Sequence, residues 1–210
     1  MEQKSNLEIL QDFAKRTGRK IFFKEEQYPL SSYRKIPRYK RTVYIPNNAE
    51  ETSYFVLYGD PYATIGEHTF FCGVYFNIEL PGKTRINFRS KNIVDKLNPF
   101  LSTRSLKTEN KSFDSKVVTS GNDIGLIHRH FSNLQLQELI KNTLKADPLL
   151  IFSVNETNLD FVPNLKEKSH LGLVNPTQWI LDDSAIEQWF KTIESVRGIM
   201  MKKGVVLENA

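Results

Sequence analysis

The chain has a single cysteine, Cys72, in 210 residues, so no internal disulfide can form and a reducing compartment is expected. The Phe-Phe-Cys-Gly-Val setting offers no adjacent cation or base to lower the thiol pKa, and Cys72 reads as a buried inert group. Long apolar runs are absent too. The longest, Phe70 to Phe76 counting its glycine, is far too short to cross a bilayer. The opening MEQKSN leads into an amphipathic pattern with no apolar signal segment, so a soluble cytoplasmic protein with no transmembrane segment is expected. Also missing are the dinucleotide-binding Gly-x-Gly-x-x-Gly, the Gly-x-Ser-x-Gly nucleophile elbow and the zinc-binding His-Glu-x-x-His. Gly82-Lys83-Thr84 ends like a phosphate-binding loop. Asn77 stands where the first glycine of that loop belongs, and a strand rather than a helix follows, which removes the reading.

What is present is an ordinary globular composition, 40% hydrophobic and 25% charged, too apolar for a disordered chain. The net charge of +5 is unevenly spread. Residues 1–105 carry 17 Lys+Arg against 11 Asp+Glu, and the remainder carries 12 against 13. Much of the excess lies between Tyr33 and Tyr44, where no acid intervenes. Cations there can contact phosphates while tyrosines stack on bases, so Arg34, Lys35, Arg38, Tyr39, Lys40 and Arg41 form the candidate ligand-binding set. Its ligand would be a small anion, a nucleic acid or a membrane surface. The same alternation describes an exposed edge strand guarded by lysine and arginine, and that structural reading is preferred.

Thr69 to Ser90 reads as two strands joined at Pro81-Gly82. Phe70, Cys72, Val74, Phe76 and Ile78 share one face of the first, and Ile86 and Phe88 share one face of the second. A loop of only two residues would scramble these faces, so an odd-length loop or a bulge is expected, with Gly82 at positive φ. On the polar face Glu79 is the expected cross-strand partner of Arg85. Further strands are expected at 20–24, 41–45, 54–58, 113–119, 149–154 and 158–162, the last two forming a second hairpin around 155–157. Ser-x-x-Glu/Gln capping boxes mark helices starting at Ser5, Ser132 and Ser184. The first ends near Thr17, with Gly18 as its left-handed C-terminal residue. In the third, Ile186, Trp189, Phe190, Ile193, Val196 and Met200 form one stripe that should pack on the sheet. Residues 101–112 read as a loop or lobe boundary within a single domain, 1–210. The expected fold is α+β, with a mainly antiparallel sheet, long hairpins and helices on one face.

Candidate chemistry is sparse. His128 and His130 would share a face on a strand and could hold a metal, but the residues after Gly121-Asn122-Asp123 look helical, which turns the rings apart. His68 and His170 read as surface or turn residues. The acid pairs Glu25-Glu26, Glu50-Glu51 and Asp182-Asp183 resemble exposed turns, and the last suits the positive end of the final helix. Three stretches resemble an uncharacterised bacterial domain family of unknown function: Phe71 to Phe76 with Gly82 to Ile86, Phe113 to Asp123, and Leu150 to Val154. Members of that family often carry membrane anchors ahead of a soluble α+β domain. The resemblance implies a fold and no catalytic residue. The functional expectation is a non-catalytic soluble domain, without a cofactor or metal, that binds a partner protein or small ligand. Anionic-ligand or nucleic-acid binding through residues 33–44, and a metal-dependent enzyme using His128 and His130, are the alternatives.

Overall fold

The computed structural model describes residues 5–30, 36–47, 50–63, 69–93, 95 and 106–202. Its strands are β1 (Phe22–Gln27), β2 (Tyr39–Pro46), β3 (Tyr54–Gly59), β4 (Phe70–Asn77), β5 (Ile86–Ser90), β6 (Val117–Gly121), β7 (Ile151–Val154) and β8 (His170–Asn175). They form one eight-stranded sheet in the order β1-β2-β3-β4-β8-β7-β5-β6. Every neighbouring pair is antiparallel. The helices are α1 (Asn6–Thr17), α2 (Lys111–Asp114), α3 (Ile124–Phe131), α4 (Leu134–Ala146) and α5 (Asp183–Met201). The fold is α+β, as its alternating and three-to-four-residue apolar periods imply.

Period-2 alternation sorts the strands onto two cores. Val43, Ile45, Phe55, Leu57, Val74, Phe76, Phe88, Phe152 and Leu173 pack with Phe13, Phe131, Ile140, Trp189 and Phe190 from the helices. The whole stripe expected on α5 is buried there. On the opposite face, Tyr54, Val56, Phe71, Tyr75 and Val174 meet Leu159, Val162 and Leu165. The helices thus cover one face, and part of the other is roofed by the chain between β7 and β8, including a 3₁₀ turn at Pro163–Leu165.

Local signals are reproduced where the structure is local. Ser5 and Glu8 close the capping box of α1, and Gly18 ends it at φ 68° with the Arg19 N–H donating to the Ala14 carbonyl at 2.9 Å. The other two helices begin on near neighbours of the expected Ser132 and Ser184 instead. Asn133 caps α4 by accepting from the Leu136 N–H, and Asp182 caps α5 by accepting from the Ala185 N–H. Asparagine and aspartate rank with serine as caps, and a carboxylate also meets the positive helix end.

The long-range pairings differ from the expectation. Residues 69–90 are not a hairpin, because β8 and β7 lie between β4 and β5. Pro81 does start a turn, with the Thr84 N–H donating to its carbonyl at 2.8 Å. The Ile78 N–H, however, goes to the Ser169 carbonyl at 2.8 Å instead of to β5. Ile78 and Ile86 still reach the same core, so the face parity is met by crossing two strands and not by a bulge. Gly82 does not take the expected positive φ, and the Arg85 guanidinium donates to the Gly82 and Thr84 carbonyls in place of Glu79. The second expected hairpin also fails: 158–162 forms no strand, and β7 pairs with β5 and β8. Residues 113–119 divide between α2 and β6. His170 opens a central strand and is 6% exposed.

Asn155 holds this crossing together. At φ 54° its Nδ2 donates to the Thr84 carbonyl (3.1 Å) and to Ser169 Oγ (3.1 Å), while its Oδ1 accepts from the His170 N–H (2.8 Å). The seam between β4 and β8 depends on glycine. Tyr75 lies opposite Gly172, and a Cβ added at 172 would come within 2.3 Å of the Tyr75 ring.

Candidate functional site

β1 and β2 present alternate residues to opposite faces of the sheet, and this divides the expected basic site. Arg34 and Lys35 lie outside the described residues. Lys40 points to the helix-free face, where Thr42 follows it and Lys24 and Glu26 stand across the strand pair. Tyr39 and Arg41 point to the helix side, where the Arg41 guanidinium lies 5.2 Å over the Tyr39 ring and pairs with Glu25. Arg38 stacks its guanidinium 5.8 Å above Tyr62. β2 is therefore not the edge; β1 is, with all six of its residues exposed. The pair Glu25-Glu26 is split between the faces by the same alternation.

The helix-free face carries a cleft of about 460 Å³. Its floor is aromatic. Tyr58 stacks on Phe71 at 5.1 Å and on Phe161 at 6.0 Å, and Phe71 meets Tyr75 edge-on at 6.4 Å. Strands β1 and β2 form one wall, and the loop after β7, with Glu156, Thr157, Asn158 and Asp160, forms the other. The Thr157 hydroxyl donates to Tyr75 Oη at 3.4 Å and so anchors that loop to the floor.

The charges in and around the cleft are unequal. Lys24 pairs with Glu26. Lys40 lies 3.5 Å from Asp60, which is 5% exposed, and 5.8 Å above the Tyr58 ring. Burial works against ionisation of Asp60. Even so, the Tyr28 hydroxyl at 2.7 Å, the Tyr62 N–H at 2.9 Å and Lys40 hold its carboxyl below the usual value. The same hydrogen bond pushes the Tyr28 phenol up to about 12. Glu156 and Asp160 have no ion-pair partner among the described residues. The cleft is therefore an aromatic surface bordered by two lysines that are already neutralised and two carboxylates that are not.

The other candidate residues do not converge on it. His128 and His130 sit two apart on α3, where a helix turns them to different sides; His128 Nε2 is 2.8 Å from the Lys107 carbonyl and Nδ1 is 3.9 Å from Glu109. Asp123 is the cap of that helix. Among the described residues no group of three or more His, Cys, Asp or Glu gathers in a way that could hold a metal ion. Burial pushes the Cys72 thiol up to about 12, with the Ile180 N–H donating to its sulfur at 3.2 Å. Burial also lowers the His170 pKa. Among the described residues no helix is long and apolar enough to cross a membrane.

Sequence reasoning missed Asp60, Phe161 and the loop acids. The available signals were the Gly-Asp-Pro turn after β3 and the dense Asn, Glu and Thr of 155–158, which read as a tight hairpin turn but are the start of a roof. No family model, no curated protein and no solved structure matches this chain.

Proposed function

We propose that this chain is a non-catalytic, cytoplasmic binding domain that takes a small ligand in the cleft on the helix-free face. The observation that carries this reading is the stacked Tyr58, Phe71 and Phe161 floor beside the unmatched Glu156 and Asp160. Such a surface favours a ligand with a planar apolar part and a positive charge, which gains from stacking, from cation–π attraction and from the free carboxylates. A basic side chain of a partner protein meets the same requirements. Binding through residues 33–44 as one anionic-ligand or nucleic-acid surface gains no support from Lys40 and Arg41, which lie on opposite faces and each face an acid.

Titration of ¹⁵N-labelled protein with phenethylamine, and separately with phenylacetate, tests the reading. The amine is expected to shift the amides of Tyr58, Thr157 and Asp160 saturably, and Asp160→Asn is expected to weaken it about threefold or more, the loss of one partly screened charge contact. Equal or stronger binding of the carboxylate would remove the proposed site. Turnover of general ester or phosphoester substrates that disappears in His128→Ala would overturn the non-catalytic assignment.

A further inference from the structure

A second cleft, of about 510 Å³, is built from three segments that are far apart in sequence. β5 runs into Lys91, whose N–H donates to the Lys116 carbonyl at 2.8 Å, so these two lysines enter side by side where β5 ends and β6 begins. α4 packs against β5 and supplies Lys141 and Lys145, one helical turn apart on one face. Ser112 and Ser115 on and after α2 complete the rim, and Lys141 Nζ donates to Ser112 Oγ at 3.3 Å. Among the described residues no acidic side chain lines the cleft.

The nearby acids are already engaged. Glu138 takes Lys141 at 2.6 Å, Asp95 takes Arg89 at 2.5 Å, and Asp114 accepts from the Thr108 N–H at 3.1 Å. Lys91, Lys116 and Lys145 have no ion-pair partner among the described residues. A solvated charged face normally mixes both signs, whereas here Lys91, Lys116 and Lys145 border one concavity without an ion pair among the described residues, beside a Lys141 that is shared with Glu138. An anion offsets those charges, and lysine ammonium groups with serine hydroxyls supply donors for oxyanion oxygens. The concave shape suits a compact ligand, whereas a nucleic-acid backbone needs an extended basic stripe.

We propose that this cleft is a binding site for a small phosphate-bearing molecule, held by Lys91, Lys116, Lys141 and Lys145. It lies on the helix-bearing side beside β5 and β6, apart from the aromatic cleft over β1 to β4, and does not depend on that site's role.

Calorimetric titration of the full chain with inorganic pyrophosphate, at constant ionic strength set with chloride, provides the test. Saturable binding with amide shifts at Lys91, Lys116 and Lys145 is expected. The exposed-site double variant Lys116→Ala/Lys145→Ala should bind at least about tenfold more weakly, the loss produced by removing one charge-assisted contact. Lys40→Ala/Arg41→Ala should stay within about twofold of the parent, because those residues lie outside the cleft and already face acids. If the double variant loses its fold, Lys91→Gln alone supplies the comparison. Absence of saturable binding, or equal affinity in the cleft variants, would overturn the proposal. So would displacement of pyrophosphate by a 20-nucleotide single-stranded DNA bound more tightly, which would make the cleft a nucleic-acid surface.

Discussion

The two halves of the sheet concentrate basic residues in opposite ways. In the β1 to β4 half the cations are neighbours in sequence, yet the strand period sends Lys40 and Arg41 to different faces, and Asp60 and Glu25 meet them there. In the β5 to β8 half Lys91, Lys116, Lys141 and Lys145 are scattered through the chain, and the fold brings them to one concavity where, among the described residues, Lys141 alone of the four is in an ion pair, with Glu138. A basic run on a strand is thus a poor guide to a basic surface. Cross-strand neighbours decide whether the charge survives.

Three perturbations bear on this contrast, from the largest expected effect downward. Asn155→Ala removes the acceptor of the His170 N–H and the donor to Thr84, and it places alanine at φ 54°. It should cost about 3 kcal/mol, the sum of a lost buried acceptor and backbone strain. Urea unfolding measures the loss. Hydrogen exchange should show β5 and β7 losing protection while β2 and β3 keep theirs; uniform loss would mean that the halves are not separable.

The second perturbation is acid. Arg89 hydrogen bonds to Asp95 and, against the effect of burial, holds that carboxyl down at about 2 from its ordinary 3.8. A depressed carboxyl stabilises the fold fully above its unfolded value and loses that contribution as the pH falls through its folded value. The urea midpoint should therefore drop between about pH 4 and pH 2 more steeply in the parent than in Asp95→Asn. Parallel curves would show that the pair contributes nothing. The smallest effect belongs to Arg41→Ala, whose exposed pair with Glu25 should be worth less than about 0.5 kcal/mol in thermal unfolding. A larger loss would mark Arg41 as more than a locally neutralised charge.

The strand positions of the β1 to β4 half were legible, because alternation between turn residues marks each of them, although the pairing of each with the next was not read. α1 was legible to the residue, from Ser5 and Glu8 to Gly18. The other half was not. Period-2 patterns tell which way Ile78 and Ile86 point but not what lies between them, and two strands were inserted without disturbing either face. His170–Asn175 went unread because its leading histidine reads as a surface or turn residue, whereas it opens a central strand whose Gly172 is required by the Tyr75 ring across the seam. The aromatic cleft was half visible, through Lys40 alone of its wall, because its roof was read as a strand. The lysine cleft left no sequence signal, since its cations come from three separate elements.

The position of β8 also imposes an order of events on the folding chain. β1 to β4 can form from consecutive segments, and β5 to β7 from contacts of intermediate range, but the strand that unites them is the last of the eight in sequence. Until His170–Asn175 is available, β4 and β7 each keep an open hydrogen-bonding edge, and that of β4 is flanked by Phe71, Val74 and Phe76. Closing the sheet joins residues about a hundred positions apart, a step with a high loop-closure cost and therefore a slow one. The same edges are the places where two unfinished chains can pair with each other, so the late arrival of one six-residue strand sets the interval during which the protein is open to aggregation.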